Sequence, residues 1–129
     1  MKELILLFGC DLMSANALTA AAQGQGVPAV RIERSLYNRP IGTLTQVNQA
    51  RSLYTRAPYI GPELEVPMAV LCGFANDERL DAVVAGLNAT GARVVKCILT
   101  PDNARWNVIT LQRELLKERD AITSAETAQ

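Results

Sequence analysis

The sequence predicts a mixed α/β fold, an α+β sandwich in which two βαβα units share one four-stranded sheet. Two observations carry this prediction. An apolar run of strand length occurs at residues 4–8 and again at 68–72, and each is followed by a glycine-marked turn, a helical pattern and a second strand-like run. Equivalent glycines keep a nearly constant offset, because Gly9 and Gly73 are 64 residues apart and Gly26 and Gly91 are 65 apart. The pattern therefore indicates an internal repeat.

The first unit begins with a strand whose residues are all apolar, as in a strand that is buried on both faces. Asp11 or Ser14 can cap the helix that follows, and Gly24 can end it. The elements predicted for this unit are a strand over Leu4–Phe8, a helix over Ala15–Ala22, a half-exposed strand over Val27–Glu33 and a looser helix over about Ile41–Tyr54.

The second unit carries stronger signals. Asn76 is a natural N-cap, and the apolar positions between Leu80 and Leu87 are spaced i, i+3, i+4 and i+7. Thr100 and Pro101 match the N-cap and first residue of a further helix. The elements predicted here are a strand over Met68–Cys72, a helix after Asn76, a strand over Arg93–Leu99 and a helix over about Pro101–Arg119.

The repeat divides the chain into a first half (1–55), a proline-rich linker (56–67), a second half (68–122) and a tail that is expected to fray (123–129), with one core shared by the halves. The element order favours a ferredoxin-like β-α-β-β-α-β core, and a doubly wound parallel sheet is the alternative. If the two copies are related by a pseudo-twofold axis, the glycine turns that end their first strands could open at one cleft.

Composition excludes several classes of function. The chain has 129 residues, enough for one domain, and its net charge of zero gives no general attraction to nucleic acid or membrane. It contains no histidine, the commonest general base and metal ligand, and its three cysteines lack C-x-x-C spacing. We therefore expect no metal, cofactor, disulfide framework or membrane span, and a cytoplasmic location.

The segment from Lys96 to Trp106 is the first candidate site. As a structural motif, Thr100 would cap a helix, Asn103 would bond back to the cap and Trp106 would anchor the core. As a functional motif, the N–H groups of a helix start, with Lys96 on the adjoining strand, would hold a small anionic ligand. The candidate ligand-binding residues are Lys96, Thr100, Asn103 and Trp106.

The same segment resembles the bacterial domain of unknown function 3783 family. That family has a lysine near the end of a strand, then Thr-Pro-x-Asn-x-x-Trp, then a helix with Leu-x-x-Glu-Leu. The matching residues are Lys96, Thr100, Pro101, Asn103, Trp106, Leu111, Glu114 and Leu115, with Gly73-Phe74 and Asp77-Glu78 upstream. The resemblance covers about residues 68–118 and implies no activity.

Cys10 is the only candidate for a catalytic residue. It lies close to a predicted helix start, where the pKa of a thiol can fall, and this position allows a thiol-based enzyme or redox protein. The chain offers no histidine partner, and the neighbouring Asp11 would raise the thiol pKa. A small buried residue is the simpler interpretation.

The stretch from Arg31 to Arg56 is locally basic and contains interleaved tyrosines, a pattern found in proteins that bind nucleic acid. Its charged and aromatic members are Arg31, Arg34, Arg39, Arg51 and Arg56, opposed by Glu33, with Tyr37 and Tyr54 between them. No nucleic-acid-binding motif frames them, so a solvated face is the default interpretation and weak nucleic-acid binding the alternative.

These observations favour a non-enzymatic module that binds a ligand or a protein partner, or that regulates one. The alternatives that remain open are a thiol-based enzyme through Cys10 and weak binding of nucleic acid by residues 31–56. Exposed sheet edges also make a homodimer possible.

Overall fold

The computed structural model describes residues 2–46 and 57–127. Within these ranges the regular elements are β1 (Leu4–Phe8), α1 (Leu12–Gly24), β2 (Ala29–Arg31), β3 (Met68–Cys72), α2 (Asp77–Asn88), β4 (Val95–Ile98) and α3 (Val108–Thr127). Short 3₁₀ helices complete them: η1 (Arg34–Leu36), η2 (Ile41–Gln46) and η3 (Asn103–Arg105). The predicted α+β sandwich with a four-stranded sheet is confirmed.

The strands lie in the order β2-β1-β3-β4. Both outer pairings are parallel, and the central pairing of β1 with β3 is antiparallel. The preferred ferredoxin-like core is therefore wrong, because in that fold another strand separates the two strands of each βαβ unit, whereas here they are neighbours. The doubly wound parallel alternative is wrong because of the antiparallel centre. Consecutive strands tend to pair directly, and element order alone does not specify the pairing.

The sheet is covered on both faces because its central strands alternate their side chains between two clusters. Helices α1 and α2 pack on the face that carries Ile5, Leu7 and Leu71. The opposite face, which includes Leu6, Phe8 and Val70, is covered by η1, η2 and the start of α3. The two central strands are consequently apolar at every position.

The two βαβ units meet symmetrically at the centre of the sheet. In the β1–β3 register Leu6 lies opposite Val70, and these residues are 64 positions apart, as are Gly9 and Gly73. Because the pairing is antiparallel, the carboxyl ends of β1 and β3 lie at opposite ends of the sheet. The expectation that both glycine turns open at one cleft is therefore wrong.

The predicted caps of the first two helices are confirmed. The Asp11 carboxylate accepts a hydrogen bond from the Ser14 N–H at 2.7 Å at the start of α1. The Asn76 side chain accepts one from the Arg79 N–H at 3.2 Å at the start of α2. Each cap satisfies a backbone donor that the helix leaves without an internal partner.

The helices that follow β2 and β4 differ from the prediction. The segment after β4 forms the 3₁₀ helix η3, and α3 begins only at Val108, where the Asn107 side chain accepts from the Thr110 N–H at 2.9 Å. Its backbone continues through residues 123–127, for which a frayed tail was predicted. After β2, the predicted helix of residues 41–54 starts as η2, and its remainder lies outside the described residues.

Candidate functional site

An open groove lies where the parallel strands β3 and β4 end. Its volume is about 420 Å³. The walls are the turn after β3 (residues 73–75) and the chain that leaves β4 (residues 98–101 together with Ala104). None of these residues carries a charge. The carboxyl ends of parallel strands are a common ligand position in α/β proteins, and this groove has the size of a small binding site.

Two large apolar side chains in the chain from the end of β4 to the end of η3 are exposed. Ile98 lines the groove and is 49% exposed, and Trp106, two residues beyond the groove wall, is 38% exposed. The prediction that Trp106 anchors the core is wrong. Trp106 has an extended backbone at the end of η3, and its carbonyl accepts from the Ile41 N–H at 2.9 Å. Val108 and Leu111 fill the core position on this face instead.

Thr100 and Asn103 bond to each other across the turn after β4. The Thr100 N–H donates to the Asn103 side-chain oxygen at 2.8 Å, and the Asn103 N–H donates to the Thr100 hydroxyl at 3.1 Å. The buried Asn103 amide also donates to the Ile98 carbonyl at 3.0 Å. The predicted back-bond of Asn103 is therefore confirmed. Its polar atoms are used inside the protein, so Asn103 is not aimed at a ligand.

Lys96 does not join this group. It pairs in register with Ala69, whose side chain belongs to the α1 and α2 face of the sheet. Asn103 contacts Cys97, which packs on the opposite face. The Lys96 ammonium donates to the carbonyl of Val94, the residue just before β4, at 3.4 Å. Because side chains alternate between the two faces of β4, Lys96 is separated from Asn103. The structure therefore does not bring together the anion site that the sequence predicts.

The corresponding end of β1 and β2 is filled by the protein itself. The Gly9 N–H donates to the hydroxyl of buried Tyr37 at 2.7 Å. Linker residues cover the same turn, since a Cβ on Gly9 would lie 3.4 Å from the Leu64 Cβ and 3.5 Å from a Glu63 carboxylate oxygen. The Arg31 guanidinium donates to the Cys10 carbonyl at 3.2 Å. The end of the sheet at β1 and β2 is therefore closed, whereas the end at β3 and β4 is open.

Cys10 lacks the environment of an activated thiolate. Its side chain is buried, and its sulfur lies 3.8 Å from the Phe8 carbonyl oxygen. Burial, followed by the charge of Asp11, raises the pKa of the Cys10 thiol to about 11. Burial likewise raises the pKa of Cys72 to about 12 and raises that of Cys97. A nucleophilic or redox cysteine requires the opposite shift, so the geometry argues against this interpretation.

The basic segment does not form a stacking surface within the described residues. Tyr37 is buried between Phe8 and Tyr59, with ring centroids 5.8 and 5.9 Å away, so its face is closed to a nucleobase. Arg39 is also buried. Arg31 and Arg34 are exposed, and the other predicted members, Arg51, Tyr54 and Arg56, lie outside the described residues.

A second groove of about 420 Å³, which the sequence did not indicate, lies between the linker and α3. The buried Gln112 side chain of α3 bonds to the linker backbone. It accepts from the Glu65 N–H at 3.0 Å and donates to the Val66 carbonyl at 2.6 Å. Glu63 and Glu65 are on one wall, and Arg113 and Lys117 on the other. The groove joins segments some fifty residues apart, so no local pattern could have revealed it.

No group of three or more histidine, cysteine, aspartate or glutamate side chains in the described part of the chain could hold a metal ion. None of the helices in residues 2–46 and 57–127 is long and apolar enough to cross a membrane.

Residues 67–122 match the family described as "Domain of unknown function (DUF3783)". The matched segment runs from the start of β3 into α3 and contains every residue that lines the open groove. The resemblance inferred from the Thr-Pro-x-Asn-x-x-Trp motif is thus confirmed. No curated protein and no solved structure gives a significant match to the chain.

Proposed function

We propose that the protein is a non-enzymatic binding module that holds an apolar side chain of a partner protein in the groove at the ends of β3 and β4. The observation that carries the proposal is the half-exposed Ile98 in the wall of an uncharged groove. The end of the sheet in the first half, which is closed by Tyr37 and the linker, supports a special role for the open one.

The exposure of the groove walls favours a protein partner over a small molecule. A small-molecule site typically buries about 70–90% of its ligand. This groove is open, since Ala75 and Pro101 are exposed and Ile98 is 49% exposed, and we expect it to enclose a free ligand less completely than such a site does. A side chain presented by a larger partner would gain further contacts around the groove. Trp106 follows the groove residue Ala104 by two positions and is exposed, and tryptophan is enriched among the residues that dominate binding energy at interfaces.

The composition of the groove points to a neutral, apolar group rather than an anion. No charged residue lines it, and Lys96, which shares the face of β4 that carries Ile98, is not among its lining residues. Burying apolar surface stabilises a complex by roughly 25 cal/mol per Å² before the cost of association is subtracted. The three cysteines are free thiols, which supports a reducing, cytoplasmic setting for this module.

Selection of a random peptide library on the immobilised protein tests this function. We expect the selected peptides to share an apolar anchor residue. Fluorescence anisotropy of the labelled peptides then measures the Kd for wild type, for Ile98→Asp and for the matched control Ile60→Asp. Ile60 is 91% exposed and lines neither groove, so the control makes the same change elsewhere on the surface.

A charge in the groove wall should weaken binding by at least about tenfold, equivalent to about 1.4 kcal/mol, and the control should leave the Kd nearly unchanged. Equal binding by wild type and Ile98→Asp would contradict the proposal. So would a screen in which small apolar compounds bind in competition with each other and no peptide does, because the groove would then be a small-molecule site.

A further inference from the structure

The outer edge of β4 is the side of this strand that faces away from β3. β4 is the last strand of the sheet, and its inner edge bonds to β3. The N–H groups of Val95 and Leu99 donate to the carbonyls of Pro67 and Leu71, each at 2.9 Å. Because backbone groups alternate in direction along a strand, the backbone groups of the even-numbered residues 94, 96, 98 and 100 point to the outer edge.

Asn103 occupies this outer edge in the manner of a strand residue. In a parallel ladder, one residue donates to the carbonyl before its partner and accepts from the N–H after it. The Asn103 amide donates to the Ile98 carbonyl at 3.0 Å and accepts from the Thr100 N–H at 2.8 Å. It thus makes the two hydrogen bonds that a residue of a fifth, parallel strand would make opposite Leu99.

Lys96 occupies the other end of the same edge. Its ammonium donates to the Val94 carbonyl at 3.4 Å, which is another of the outward-pointing groups. A lysine on an edge strand also opposes the approach of an identical strand, because the two positive charges would meet. The outward-pointing groups at both ends of this edge are therefore already hydrogen-bonded to side chains of the same chain. They are the Val94 carbonyl at one end, and the Ile98 carbonyl and Thr100 N–H at the other.

We propose that Asn103 and Lys96 close the outer edge of β4 against pairing with a second copy of this chain. An unprotected edge strand is a template for the same strand of another molecule, and two copies of β4 would pair in a closed, twofold arrangement. This assigns a protective role to two residues that the sequence suggested as ligand contacts. It does not depend on what the groove binds.

Sedimentation equilibrium and hydrogen exchange test the proposal together. The variants are Lys96→Thr, which keeps a strand-forming residue and adds no apolar surface, and Asn103→Ala. The matched control is Lys117→Thr, which removes an exposed ammonium from α3. Circular dichroism establishes that each variant is folded. If Asn103→Ala does not fold, Lys96→Thr alone decides the result.

We expect wild type and Lys117→Thr to sediment as 14.0 kDa monomers. The edge variants should shift toward twice that mass as concentration rises, with slower exchange at the outward amides of residues 96 and 98. The proposal is overturned if the folded edge variants remain monomeric. It is also overturned if their mass doubles without protection of those amides, or if wild type already pairs through them.

Discussion

Removing one oxygen atom from Tyr37 tests how the closed end of the sheet is stabilised. The Tyr37 hydroxyl accepts from the Gly9 N–H at 2.7 Å. Burial, followed by a hydrogen bond with the Glu63 carboxylate, raises the pKa of the phenol. Tyr37→Phe keeps the ring and its packing on Phe8 and Tyr59, so the change isolates these two hydrogen bonds.

The expected loss follows from the groups that are left behind. The Gly9 N–H would remain beneath the linker without its acceptor, and an unsatisfied buried donor costs about 1–3 kcal/mol. Gly9 has a φ of +72°, and the Leu64 side chain lies against it, so the turn has little freedom to move the N–H toward water. We therefore expect the free energy of unfolding to fall by about 1–3 kcal/mol.

Urea denaturation measures this loss as a lower midpoint with an unchanged m-value. Tyr59→Phe is the matched control, because its hydroxyl makes an exposed hydrogen bond to the Pro62 carbonyl at 2.9 Å that water can replace. We expect the control to cost less than about 1 kcal/mol. If both variants lose the same small amount, the Gly9 N–H is solvated and this end of the sheet is not closed as described.

Two other predictions follow from the burial of the thiols and from the backbone of the glycines. The thiolate is the form of cysteine that iodoacetamide alkylates. The rate of Cys10 alkylation, followed by peptide mass spectrometry, should therefore rise only as the pH approaches about 11. A midpoint of this pH profile at or below about 8.5 would contradict the burial argument. Gly24→Ala should stabilise the protein by about 0.5–1 kcal/mol, because Gly24 is helical. Gly91→Ala should destabilise it by about 1 kcal/mol, because Gly91 has a φ of +76°. Neither added methyl group meets an atom within 4 Å, so thermal melts of these two variants compare backbone conformation alone. Changes of melting temperature with the same sign in both variants would refute the assigned backbone conformations.

The sequence predicted features that depend on a few neighbouring residues. The apolar runs of β1 and β3, the caps Asp11 and Asn76 and the bond between Thr100 and Asn103 all follow from local chemistry. The start of α3 was missed although a local signal existed. Asn107 three residues before Thr110 has the spacing of an N-cap, and the Thr-Pro pair drew the prediction seven residues too early.

Pairing between distant segments could not be predicted in this way. The order β2-β1-β3-β4 and the ferredoxin-like order use the same sequence of elements, and only long-range packing distinguishes them. Trp106 is exposed because the chain after η3 is extended, a conformation that its helix-like pattern did not indicate. The separation of Lys96 from Asn103 was within reach, since counting alternate residues along β4 places Lys96 and Cys97 on opposite faces.

The most direct test of the account is a map of where a selected peptide contacts the protein. Titration of the ¹⁵N-labelled wild-type chain, followed by amide chemical shifts, should move the resonances of Gly73, Ala75, Ile98 and Thr100 in a saturable and concerted way. Resonances around Gln112, in the groove beside α3, should stay in place. Shifts concentrated near Gln112, or near the exposed Met13 at the opposite end of the sheet, would contradict the claim that the groove at the ends of β3 and β4 is the binding site.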